Sequence, residues 1–104
     1  MKRAELIDKY IKILRLKNYS PKTEKVYLHH LNLFLDYISK LKISSIDSRV
    51  FLDYFNYLKL IRKFSYSSMK QSLASVRFLF IDVLKKEIDF DFFVIKKQIV
   101  FLIS

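Results

Sequence analysis

Ser20-Pro21-Lys22-Thr23-Glu24-Lys25-Val26-Tyr27 is the stretch from which the fold can be unrolled. A serine hydroxyl ahead of a first helical turn accepts a hydrogen bond from an otherwise orphaned amide, and a proline just behind it has no amide to leave unpaired. Ser20 therefore reads as an N-cap and Pro21 as the first helical residue. Downstream, Tyr27, Leu31, Phe34, Leu35 and Ile38 recur at three- and four-residue intervals, the period of a helix with one buried face. Lys22, Lys25, His29 and Asn32 fall on the opposite face.

The same kind of opening recurs at Ser65-Tyr66-Ser67-Ser68-Met69-Lys70-Gln71. Here Ser65 is the cap, Phe64 and Met69 are spaced as a hydrophobic staple, and Met69, Leu73, Val76, Phe80, Val83 and Leu84 form the inward stripe. Ser67, Lys70, Gln71, Ser75 and Phe78 are left on or near the other side. Between the two openings, Ser39 to Ser45 reads as a loop and Asp47 as the cap of another helix, stapled by Ile46 and Phe51. Val50, Phe51, Tyr54, Phe55, Leu58 and Ile61 are its expected core face. Lys59, Arg62 and Lys63 suit the negative end of that helix's dipole. Upstream, Ile7, Tyr10, Ile11 and Leu14 predict a helix from Arg3 to Lys17, supported by the pairs Glu5/Lys9 and Asp8/Lys12. Asn18 is then available for the left-handed residue that closes a helix. After Glu87 the run Ile88-Asp89-Phe90-Asp91-Phe92-Phe93 reads either as a last short helix or as an extended linker.

A chain of 104 residues that is 52% hydrophobic can bury one core without staples, so one domain is expected over residues 1–87, with a tail or linker start over 88–104. The absence of cysteine excludes disulfides and thiolate metal sites and fits a reducing cytoplasm. The absence of glycine excludes phosphate-cradling glycine loops. Charged residues interrupt both apolar ends, Glu5, Asp8, Lys9 and Lys12 at one and Asp89, Asp91, Lys96 and Lys97 at the other. Neither a signal peptide nor a membrane span, which needs roughly 20 apolar residues, is expected. Twenty Lys plus Arg against ten Asp plus Glu leave a charge of +10, which attracts phosphate.

Duplex DNA is the partner this pattern suggests. Helix N-termini present free amides and the positive end of the dipole to phosphate, and Lys22, Lys25 and Lys70 add full charges beside them. Thr23 and Ser67 can reach phosphate or a base edge, His29 stays on the polar face, and Ser75 can touch phosphate. Gln71 is the candidate base reader, since its amide can pair bidentately with adenine, whereas the lysines set affinity and register. The competing reading makes the hydroxyls mere caps and the lysines a solvated face. His29 and His30, adjacent on a helix, point about 100° apart and cannot form the i,i+4 pair of a helical metal site, and His30 is expected at the core boundary. Tyr66 and Phe78 are left for flanking a ligand or another domain.

The pattern Ser-Pro-x-Thr-x-x-x-Tyr-x-x-x-Leu-x-x-Phe from Ser20 to Phe34, the apolar helix from Ile46 to Leu58, and Ser65, Ser68, Leu73, Val76 and Arg77 together resemble the N-terminal core-binding domain of tyrosine recombinases, the phage integrase family. The resemblance covers roughly residues 3–87. It implies an all-α, SAM-like orthogonal bundle of four to five helices that clamps one face of duplex DNA while a separate catalytic domain grips the other. It also implies that the leading parts of the second and fourth helices enter the major groove, which carries over to Lys22, Thr23, Lys25 and Val26 and to Ser67, Lys70 and Gln71. Other recombinase subunits are implied as partners. Where the family commonly has Gly before each capping Ser, this chain has Tyr19 and Phe64, with Asn18 and Lys63 just upstream. The family's catalytic residues have no counterpart, since neither His29 nor His30 opens a His-x-x-Arg. The expectation is thus a cytoplasmic DNA-binding domain that is not itself an enzyme, with no cofactor, metal or small-molecule substrate, from a protein that would be a tyrosine recombinase. Two alternatives stand beside it: a helical protein-interaction module, and a truncated recombinase that occupies sites without cutting them.

Overall fold

Helices begin where the hydroxyl and carboxylate caps stand in the sequence. The computed structural model describes residues 2–41 and 45–86, and all the regular structure of those residues is helical: α1 (Arg3–Leu16), α2 (Pro21–Tyr37), α3 (Ser48–Leu60) and α4 (Tyr66–Arg77). From Phe78 to Val83 the last helix continues with the wider π winding. Ser20 Oγ accepts from the Thr23 amide at 3.2 Å, Ser65 Oγ from the Ser68 amide at 3.2 Å, and Asp47 Oδ1 from the amides of Arg49 and Val50 at 3.0 and 3.2 Å. Each cap satisfies amides that have no partner within the helix. The expected tail or linker over 88–104 lies outside the described residues.

The missing glycines are replaced by residues that accept the left-handed backbone. Asn18 has φ 64°, Lys63 φ 57° and Lys85 φ 55°. Behind each, an amide reaches back six or five residues to close the preceding helix: Phe64 N–H to the Leu58 carbonyl at 3.0 Å, Lys86 N–H to the Phe80 carbonyl at 2.7 Å, and Tyr19 N–H to the Leu14 carbonyl at 3.0 Å. Asn18-Tyr19-Ser20 and Lys63-Phe64-Ser65 are therefore one device used twice: a left-handed residue, an aromatic that packs back, and a serine that caps the next helix.

Tyr10, Leu14, Leu31, Phe34, Phe51, Tyr54, Leu58, Val76, Leu79 and Phe80 are fully buried in one core. Phe34 sits at its centre, with the rings of Tyr54, Phe51 and Phe80 at 5.1, 5.9 and 6.0 Å. The helix packing is pinned at Ser75. Its hydroxyl donates to the Tyr27 carbonyl on α2 at 2.8 Å, while the Tyr10 hydroxyl on α1 donates to the Ser75 carbonyl at 2.9 Å and lies 3.0 Å from Ser75 Oγ. Burial pushes the Tyr10 phenol well above its usual value, which keeps it a hydrogen-bond donor. Tyr54 is also buried, and that pushes its phenol up to about 12. Its hydroxyl faces that of Ser72 without hydrogen-bond geometry.

Several side chains depart from their expected places. Ser75 is fully buried, not on the polar face: each i,i+4 step rotates a helical stripe by about 40°, so a line drawn from Ser67 through Gln71 has turned into the α2 contact by Ser75. Phe78 is buried too, within 5.0 Å of the Tyr10 ring, 5.6 Å of Tyr19 and 5.9 Å of Tyr27, because the end of α1 and the turn after it cover that end of α4. Ile61 is exposed, since α3 ends at Leu60 and the chain turns away to Lys63. Leu6, which the expected stripe of α1 omitted, is buried. The π winding explains how Phe78, Leu79 and Phe80, three consecutive residues, are all inside: this segment threads between the α1 side and the α3 side of the core.

Two stability measurements check this account. Ser75→Ala leaves the Tyr10 hydroxyl with one fewer partner and costs about 1–3 kcal/mol in urea denaturation. Lys63→Gly relieves the left-handed strain of a residue with a Cβ and stabilises by up to about 1 kcal/mol, read as a rise in Tm.

Candidate nucleic-acid interface

The seam between α2 and α4 carries the residues singled out for nucleic acid. Its geometry follows from a chain of contacts: the Tyr27 carbonyl takes the Ser75 hydroxyl, the Tyr27 ring lies 5.9 Å from Phe78, and the His30 ring lies 6.0 Å from Phe64 and beside the Gln71 side chain. The front half of α2 thus lies beside the end of α4, and α4 begins opposite the middle of α2. The two leading ends, expected to converge on a single groove, do not abut; α4 alone is about 18 Å long. The structure instead brings His29, His30 and Gln71 together at mid-seam, with the His29 and His30 rings 5.1 Å apart.

Along the solvent side, Lys22, Lys25 and His29 are exposed and Val26 and Thr23 half-buried on α2, while Ser67, Lys70 and Gln71 are exposed on α4. Thr23 Oγ1 accepts from the Ser20 hydroxyl at 3.0 Å, so it belongs to the cap as well as to the surface. Lys70 Nζ stands 5.7 Å over the Tyr66 ring, which gives Tyr66 a place beside the cation. Ser75, buried at the helix junction, is removed from the surface set.

Charge is arranged unevenly. Glu24 of α2 is held by Arg15 of α1 at 3.1 Å, Asp36 by Arg3 at 2.8 Å, and Asp82 by Lys17 at 2.7 Å. These partners neutralise the acidic groups. Lys22 and Lys25 make no ion pair among the described residues, so the front of α2 keeps an uncompensated positive field next to the positive end of its dipole. Among the described residues no group of three His, Cys, Asp or Glu could hold a metal ion, and no helix is long and apolar enough to cross a membrane.

His30, nearly fully buried, is the contact that the sequence pattern did not single out for the site. Burial holds its imidazole below the ordinary range, partly offset by the Gln71 side chain and reinforced by His29. Neutral, it rests between Phe64 and the helix carrying Gln71, with its Nδ1 buried and without a hydrogen-bond partner among the described residues.

Residues 6–89 match the family model described as the phage integrase N-terminal SAM-like domain. No curated protein matches the chain.

A histidine whose folded-state value lies below the unfolded 6.5 binds its proton more readily when unfolded. Stability contributed here is full above pH 6.5 and is lost as pH falls from there through the lower folded value. Urea midpoints at pH 7.5 and 5.5 are expected to drop for the native chain, and His30→Asn is expected to flatten that drop.

Proposed function

Because the chain belongs to the phage integrase family of N-terminal SAM-like domains, we propose that it binds duplex DNA as the core-binding part of a site-specific recombinase. The observation that carries this is the pair of uncompensated lysines, Lys22 and Lys25, on the same exposed face of α2 as His29, whose neighbour His30 meets Gln71 of α4. Lys22, Lys25 and Lys70 meet phosphates, with Thr23, Val26 and Ser67 at the groove wall. Gln71, beside His30, reads a base edge, and adenine is the base its amide fits bidentately.

Strand cleavage belongs to another part of such a recombinase: within these 104 residues neither histidine opens a His-x-x-Arg. The role of this domain is to hold duplex on one face, in the cytoplasm and beside other recombinase subunits. A small module that relies on neutralising phosphate binds weakly alone and loses affinity steeply with salt.

Fluorescence anisotropy of a labelled duplex at several salt concentrations tests the reading. Lys22→Ala and Lys25→Ala are each expected to weaken binding on every sequence and to reduce the salt slope by about 0.9. Gln71→Ala is expected to keep the slope and to lose about 1–3 kcal/mol of base discrimination across a randomised duplex pool. Native protein whose duplex binding is absent or indifferent to salt would overturn the assignment and favour a protein-interaction module.

A further inference from the structure

Arg62, where α3 turns towards α4, lies against the far end of the stripe of α2 that carries Lys22. At 3.6 residues per turn, Lys22, Val26, His29, Leu33 and Asp36 fall within a sector of about 80°. Leu33, Asp36 and Tyr37 line a cleft together with Arg62, so the Arg62 side chain sits at the far half of that stripe. Its guanidinium stands 5.7 Å over the Phe64 ring, and Phe64 in turn packs edge-on against His30 at 6.0 Å. Lys63 is exposed, its backbone held in the left-handed turn that closes α3. Neither Arg62 nor Lys63 makes an ion pair among the described residues, and the Asp36 carboxylate in the same cleft is held by Arg3 at 2.8 Å.

Spacing gives this second cluster its meaning. Lys22 and Leu33 are separated by eleven residues, about 16 Å along α2. That is somewhat more than the roughly 12 Å width of a major groove, before side-chain reach is added. One cluster at each end of such a span touches different phosphates. His29 and Gln71, which lie between them, are left over the groove floor.

We propose that Arg62 and Lys63 form a second phosphate-gripping site for duplex DNA, set apart from Lys22 and Lys25 along α2. The inference rests on the DNA-binding reading above and adds to it a site on the α3–α4 turn, outside the helix starts. Arg62 is pre-oriented by the Phe64 ring, and Lys63 by a backbone conformation that the turn dictates. Both restraints reduce what is lost when a phosphate is bound.

The test measures binding to a mixed-sequence duplex between 50 and 200 mM salt for the native chain, Arg62→Gln, Lys63→Gly, Lys63→Arg and the Arg62→Gln/Lys63→Gly double variant, each checked for helicity. The double variant is expected to lower the salt slope by about 1.8, so that its affinity falls roughly tenfold less than the native chain's over that range. Lys63→Gly is expected to bind more weakly while melting at a higher temperature, which separates lost contact from lost fold. Lys63→Arg is expected to keep the native slope. If the native chain binds with a steep slope and the double variant keeps it, the second site is wrong and the DNA reading stands. If the native chain shows no salt-dependent binding, the DNA reading fails and this inference with it.

Discussion

Three helices are joined through one serine hydroxyl. Ser75 donates its proton to the Tyr27 carbonyl of α2, and Tyr10 of α1 reaches in to both the carbonyl and the hydroxyl of the same residue. All of this happens where water is excluded, so each group depends on the others for its hydrogen bond. A larger side chain at Ser75 would hold α4 away from α2, and an apolar one would strand part of the Tyr10 phenol. Ser72, also fully buried on α4, stands beside the Tyr54 phenol of α3. The rigidity of the seam, and with it the positions of His30 and Gln71, follows from this contact.

A second constraint acts on the backbone. The chain has no glycine, yet its helices end in left-handed turns at Asn18, Lys63 and Lys85. Asn is the residue with a Cβ that tolerates this conformation best, while the lysines hold it at some cost in strain. The cost is offset by what each turn positions. Tyr19 and Phe64 fold back onto the body of the domain, and the serine after each one starts the next helix. The turn at Lys63 directly follows Arg62, which lines a cleft with Leu33, Asp36 and Tyr37 of α2, so a feature of helix termination sits beside a cation on the α2 face.

Electrostatics then separates the faces. α1 contributes Arg3 and Arg15, which reach across to Asp36 and Glu24 of α2, and Lys17 reaches Asp82. Pairs this exposed add little to stability. Their effect is on the field: they neutralise the carboxylates of α2 and leave the charges of Lys22 and Lys25 uncompensated.

What could be read from residues alone was what depends on neighbours in the chain. Ser20, Asp47 and Ser65 announced helix starts, Asn18 a helix end, and the stripe through Leu31, Phe34, Leu35 and Ile38 a buried face, because capping and 3.6-residue periodicity are local. The exposed candidates Lys22, Lys25, His29, Lys70 and Gln71 were legible for the same reason. Tertiary packing decided the rest. Whether a polar residue at a stripe's edge faces water or a neighbouring helix depends on crossing geometry, which carried Ser75 and Phe78 inside and left Ile61 outside. The relative placement of the two leading ends, the meeting of His30 and Gln71, and the arrival of Arg62 beside Leu33 all join residues far apart in sequence. Only the packed bundle brings them together.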